Sequence, residues 1–251
     1  MAFFSNRRGQ FSYFAEQIGD FNWSGKSVLD FGGNIGNMLQ DPNSTIEQER
    51  YWCLDIDKDA IEAGRAAFPK ANWLIYDRYC FAFNPNGRRD LPLPRLGQKF
   101  DYVVAFSVFT NTTQTDMLDL VDQLEGMVSD NGTLAFTFID PRHRLSSGQT
   151  NLEWRLELEK ARGNISTTDV ENIKRKTRAA RWFMLVNGPG LYLESEDISP
   201  CKPDEEVSCY VYHTEDYMRT LFPRATVLPP VSNHLPHVNC RMQHCCVIKK
   251  G

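Results

Sequence analysis

The chain has 251 residues, 41% hydrophobic and 24% charged, with a formal net charge of −4. That length suits one large domain, or one domain carrying an insertion. The composition is too apolar for a disordered chain, and its 16 Phe, 9 Tyr and 5 Trp suffice for a substantial core. No apolar run approaches the ~20 residues of a bilayer-spanning helix, and the acidic balance disfavours nucleic acid as a partner held by bulk attraction. The opening residues lack the apolar stretch of a secretory leader, and seven cysteines form no paired framework, so a reducing cytoplasm is the expected location.

The first half alternates short apolar runs with helical patterns, which predicts a parallel sheet flanked by helices. Lys26–Phe31 reads as a first strand running into a glycine-rich turn. Tyr51–Asp55 reads as a second, and Lys58–Phe68 as a helix stopped by Pro69. Asn72–Tyr76 is a third strand, residues 84–98 a proline-rich loop, and Phe100–Phe106 a fourth, buried strand. Met117, Leu120, Val121, Leu124, Met127 and Val128 recur at the spacing of one buried helix face. Asn131-Gly132 is expected to end that helix, with a fifth strand over Thr133–Ile139.

From about Arg142 to Pro200 the rhythm breaks. Two charged helical patterns, Asn151–Arg162 and Thr168–Leu185, predict a helical insertion over the end of the sheet. A late helix at Thr214–Phe222, with Thr214 as N-cap, precedes closing strands at Ala225–Leu228 and Gln243–Ile248.

The chemistry starts at the turn Asp30-Phe-Gly32-Gly33-Asn34-Ile-Gly36-Asn37. A dinucleotide site needs G-x-G-x-x-G, but counted from Gly32 its second and third glycines are Asn34 and Asn37. A carboxylate at Asp30 would also repel a pyrophosphate and favour a cationic ligand. The segment VLDFGGNIGN resembles the first motif of the class I S-adenosylmethionine-dependent methyltransferases, with Asn34 in place of the usual middle glycine. Asn tolerates the left-handed conformation such a turn requires.

The resemblance covers Ser27 to about Ile139 and implies a Rossmann-like, doubly wound, mostly parallel seven-stranded α/β sheet with its last strand antiparallel. It implies S-adenosylmethionine as cofactor, with Asp30, Gly32, Gly33, Asn34 and Gly36 holding its amino-acid end. Asp55, beside Ile56, takes the acid that binds the ribose diol: two hydroxyl donors meet two carboxylate oxygens. Asp77, with Arg78, falls where the family receives the adenine amino group, and Phe106 and Ser107 where the methyl passes. The expected arrangement is a single domain with its core at about 24–141 and 207–251, a substrate lid at about 142–200 and an aromatic N-terminal segment at 1–23.

The implied reaction is methylation of an oxygen or nitrogen of a small molecule, with a secondary metabolite in view because the insertion is substantial. A methyl on a sulfonium is already electrophilic, so a base is needed only for a protonated acceptor. His143 ranks first for that role, Asp140 second and His213 third, all expected near the sheet's C-terminal edge. Phe11, Tyr13, Phe14, Trp154, Trp182, Phe183, Met184 and Tyr192 are expected either to wall a pocket or to be ordinary core.

Two rivals stand beside this reading. Five basic residues within Lys174–Arg181 would suit an RNA or protein acceptor, and the fold could persist as a non-catalytic scaffold. A homodimer is compatible with the sequence. His234, His237, Cys240, His244, Cys245 and Cys246 match no closed four-ligand zinc pattern, and Gln243–Ile248 reads as a buried strand, so no metal is expected.

Overall fold

The computed structural model describes residues 9–186, 209–231 and 238–251. The strands are β1 (Val28–Phe31), β2 (Tyr51–Asp55), β3 (Asn72–Ile75), β4 (Phe100–Ala105), β5 (Val128–Phe138), β6 (Trp182–Val186), β7 (Cys209–His213), β8 (Thr226–Leu228) and β9 (His244–Lys249). The helices are α1 (Gln10–Ile18), α2 (Lys58–Ala67), α3 (Gln114–Met127), α4 (Asn151–Ala161), α5 (Thr167–Thr177) and α6 (Glu215–Leu221).

Seven strands form one sheet in the order β3-β2-β1-β4-β5-β9-β8. β1 to β5 run parallel to their neighbours, whereas β9 is antiparallel to both β5 and β8. This is the expected doubly wound sheet with an antiparallel last strand.

Both faces of the sheet are buried. Val28, Cys53, Val104, Ala135 and Val247 belong to one apolar cluster, which also takes in Phe11, Tyr13 and Phe14 of α1. Their chain neighbours Leu29, Leu54, Val103, Leu134 and Ile248 join a second cluster with Met117, Leu120 and Leu124 of α3. Successive strand residues point to opposite faces, so a sheet covered on both sides needs near-continuous apolar strands. Phe11, Tyr13 and Phe14 are therefore core residues.

Two boundaries depart from the sequence pattern. α3 stops at Met127 and β5 begins at Val128, five residues before the expected Thr133. Val128 pairs with Phe100, and a register shift between Phe100 and Tyr102 absorbs the extra residues. The predicted helix Thr168–Leu185 also divides, because α5 ends at Thr177 and Trp182–Val186 forms β6. β6 pairs antiparallel with β7 as a separate two-stranded sheet, and Phe183 stacks on Tyr212 at 5.0 Å. The aromatic and branched run Trp-Phe-Met-Leu-Val suits a strand once a partner strand lies beside it. That small sheet docks on the main one through Val211 N–H to Thr110 O (2.8 Å) and His213 N–H to Ile139 O (3.1 Å).

Trp73 of β3 illustrates how tightly α2 packs. A Cβ built on Gly64 of α2 would fall well inside contact distance of the Trp73 ring. Gly64→Ala ordinarily stabilises a helix by about 1 kcal/mol. Here urea unfolding should instead show a loss of about 1–3 kcal/mol, the cost of overpacking.

Candidate active site

The C-terminal ends of β1 to β5 open into a cavity of about 430 Å³. Its size is ordinary for a small-molecule site, and its position at the carboxyl edge of the strands is where open α/β sheets bind ligands.

The floor is the turn after β1. Gly32 at φ +75°, Asn34 at +52° and Gly36 at +79° adopt the left-handed conformation that reverses the chain there. Gly32 donates its N–H to Leu54 O (2.8 Å), tying the turn to β2. A side chain at Gly32 would strike Val108, and one at Gly33 would stand 2.6 Å from Asp30 Oδ2. These glycines are thus required by the protein's own packing.

Asp55 is the hinge of this floor. Its Oδ2 accepts the Asn34 N–H (2.7 Å) and its Oδ1 the Asp57 N–H (2.8 Å). Burial raises its pKa, while the backbone N–H groups oppose that shift. The carboxylate lines the cavity, and each oxygen retains acceptor capacity beyond its one backbone bond. Asp57 caps α2 by accepting the Ala60 N–H (3.0 Å).

A second wall follows β4. Ser107 sits at φ +60°, an uncommon conformation for serine and of a kind found at functional sites. Its N–H donates to Thr137 Oγ1 (2.8 Å), and its carbonyl accepts Thr110 Oγ1 (2.9 Å) and Asn111 Nδ2 (3.0 Å). Thr137 Oγ1 in turn donates to Gln243 Oε1. The remaining walls come from residues 76–83, from Trp154 and Arg155 of α4, and from Tyr210 and Tyr212 of β7.

Gly32, Asn34, Asp55, Ile56, Arg78, Phe106 and Ser107 line the cavity. Gly33 and Gly36 lie behind the turn. Asp30 is 1% exposed beneath it, where Tyr51 Oη donates to Asp30 Oδ2 (2.6 Å) and Oδ1 has no partner among the described residues. Asp77 is exposed, accepting from Asn84 Nδ2 (3.1 Å), while its neighbours Tyr76 and Arg78 turn inward. Side chains alternate along extended chain, so an inward Tyr76 and Arg78 put Asp77 outside. Arg78 pairs with Asp116 (2.7 Å) and Asp119 (2.8 Å) of α3.

Asp140, His143 and His213 are not on the cavity wall. Asp140 accepts the Arg142 N–H (2.6 Å) and the Glu215 N–H (2.7 Å), so it caps α6 where Thr214 makes no side-chain cap bond. His213 is fully buried between Trp182 and Tyr217, and burial lowers its pKa to about 4. His143 faces His244 at 5.0 Å beside a smaller cavity, and burial lowers its pKa. Asp140, Glu215 and His244 bring ligand-type atoms within 4.8 Å of one another, but both Asp140 oxygens already serve backbone N–H groups. His234, His237 and Tyr192 lie outside the described residues.

Several wall residues carry no motif in the sequence. Gln10, Asn37 and Gln243 are buried polar residues that reach the cavity from α1, from the chain after the glycine turn and from just before β9. Only their convergence distinguishes them from ordinary surface amides.

Burial pushes the Asp30 carboxyl from its ordinary 3.8 up to about 7, with the Tyr51 hydrogen bond opposing and the Asp55 charge adding to the rise. Between those values the folded protein holds a proton that the unfolded chain has lost. Stability from this group should therefore be full at low pH and decline as pH rises through about 4 to 7. Thermal melts of Asp30→Asn against the parent across that range should show the parent's relative disadvantage growing with pH.

Residues 29–134 match the family model described as a methyltransferase domain. A comparison with curated proteins finds no match. Among solved structures, the chain resembles the glycopeptide N-methyltransferase MtfA complexed with S-adenosyl-L-homocysteine, at 11% identity and a TM-score of 0.53, covering 100% of this chain and 92% of that one. It resembles an S-adenosylmethionine-dependent methyltransferase from Clostridium acetobutylicum at 11% identity and TM-score 0.54, covering 96% and 90%. An amino pentose methyltransferase from Micromonospora echinaspora involved in calicheamicin biosynthesis, solved with S-adenosylmethionine, aligns at 12% identity and TM-score 0.51, covering 98% and 92%. At these identities the likeness is one of fold. The glycine turn, the acid closing β2 and the strand order are those of the class I methyltransferase fold, and residues 29–134 match a methyltransferase domain.

Proposed function

We propose that the cavity holds S-adenosylmethionine and that the protein transfers its methyl group to an oxygen or nitrogen of a small molecule, secondary metabolites included. The observation that carries this reading is the Asp55 carboxylate, fixed by two backbone N–H groups and still open to the cavity. A ribose diol offers two donors to two such oxygens.

The other walls suit the rest of the cofactor. Asn37 Oδ1 is buried with no partner among the described residues, an acceptor placed for an ammonium group. Gln243 spends its Oε1 on Thr137, so its N–H₂ and the neighbouring Gln10 amide are the donors offered to a carboxylate among the described residues. Adenine fits beside Ile56 and Tyr76, and Asp77 assists only if its side chain turns inward. Phe106 and Ser107 border the path of the methyl.

A bound S-adenosylmethionine would supply an electrophilic methyl carbon to the acceptor's lone pair and leave as S-adenosylhomocysteine, with the acceptor's proton lost to solvent water. The chain's contribution is to align the two partners and exclude bulk solvent. Asp140, His143 and His213 act in this reading as a cap and two packed rings rather than as bases. The segment from 142 to 200 supplies part of the acceptor wall through α4, as a lid would.

The basic run of α5 has a local explanation that weakens the macromolecular alternative. Lys174, Arg175 and Lys176 occupy the last turn of α5 and Arg178 its C-cap, where positive charge is favourable, and Lys174 lies 3.8 Å from Glu153.

Asp55→Ala tests the central assignment. Two hydrogen bonds to a charged group predict a loss of S-adenosylhomocysteine affinity of roughly a hundredfold or more. Calorimetry should register that loss while circular dichroism stays near that of the parent. Undiminished binding by a folded variant would remove Asp55 from the ribose site.

A further inference from the structure

The acceptor half of the cavity has a chemistry of its own. Trp154 of α4 and Phe83 of the loop after β3 both line it, yet among the described residues neither belongs to an apolar core cluster. Phe83 is 64% exposed. Tyr210 adds a third ring, held by the Arg155 guanidinium 3.5 Å from its centroid. Rings left out of the core yet turned to a cavity are explained by a ligand more readily than by folding.

Three wall segments meet at Asn111. Cys80 Sγ contacts Asn111 O (3.6 Å), and Val211 N–H donates to Thr110 O (2.8 Å), which brings the 79–83 loop and β7 to the same place. Phe81 packs with Val211 and Met184, fastening that loop to the small sheet. The Asn111 amide donates to Ser107 O (3.0 Å) and Thr110 Oγ1 (2.9 Å). Both donors being committed, its carbonyl Oδ1 is the atom left for a ligand.

At this end of the wall the charged side chains are ion-paired: Asp116 with Arg78 and Arg155 with Glu159 (3.0 Å). A charged acceptor would enter with no counter-charge and lose its hydration.

We propose that this end of the cavity is the acceptor subsite and takes an uncharged, flat aromatic compound bearing a hydroxyl, whose hydrogen donates to Asn111 Oδ1 while its ring lies against Trp154 and Phe83. The inference rests on the methyltransferase reading and narrows its substrate class.

The test is calorimetric titration of the full chain, saturated with S-adenosylhomocysteine, using naphthol, its methyl ether, its fully saturated counterpart decahydronaphthol, and cyclohexylamine. Naphthol should bind about tenfold or more tightly than decahydronaphthol, from ring stacking, and more tightly than the ether, from the hydroxyl donor. Trp154→Ala should abolish the aromatic preference, and Asn111→Ala the preference of naphthol over its ether, each with S-adenosylhomocysteine affinity retained. Equal binding of naphthol and decahydronaphthol, no binding of naphthol, tighter binding of the amine, or preferences untouched by both variants would overturn the subsite while leaving the cofactor reading intact. Failure of S-adenosylhomocysteine itself to bind the parent protein would overturn that underlying reading, and the subsite with it.

Discussion

One carboxylate organises the cavity edge of this molecule. Asp55 accepts one N–H from the glycine turn after β1 and one from the entry to α2, so a single side chain sets the distance between two loops. The arrangement is effective because it is buried, where charge-assisted hydrogen bonds are strong and leaving a polar group unmade is costly. Burial also raises the Asp55 pKa, which the backbone donors counteract. The same bonds that counter this rise hold the turn in its left-handed path.

The opposite side of the cavity is built from residues far apart in the chain. Ser107 leans on Thr137, Thr137 on Gln243, and the Tyr13 hydroxyl donates to Gln243 O (2.9 Å). The first helix, the central strands and the residue just before the last strand thus share one polar network at the cavity wall. Such a network rigidifies a site only when it is satisfied throughout, and here each bond positions the next. The small β6–β7 sheet then joins through Thr110 and Ile139, bringing the tyrosines of β7 over the cavity.

The regular parts of the fold were legible because they repeat locally. The alternation of Leu29 with Val28, or of Cys53 with Leu54, marks strands buried on both faces, and the α3 periodicity marks one amphipathic helix. β6 was not legible: Trp182–Val186 continues a helical pattern, and only pairing with Cys209–His213 makes it a strand. The start of β5 at Val128 likewise depends on Phe100 lying opposite. Propensity is a weak guide wherever a distant partner decides between helix and strand.

The site divides along the same line. The chain order alone carries the turn at Gly32–Gly36, the acid at Asp55 and the segment at Phe106–Ser107, because strand ends and turn residues are neighbours in sequence. Which side chains face the cavity is a property of packing. Asp30 is tucked beneath the turn by Gly33 and Tyr51, Asp77 turns outward while Arg78 turns in, and Asp140 is drawn off to cap α6. Gln10, Asn37, Asn111 and Trp154 come together from separate elements. Local chemistry determines the elements and the order of the motifs; the direction of each side chain follows from contacts that form only when the sheet, its helices and the small β6–β7 sheet assemble.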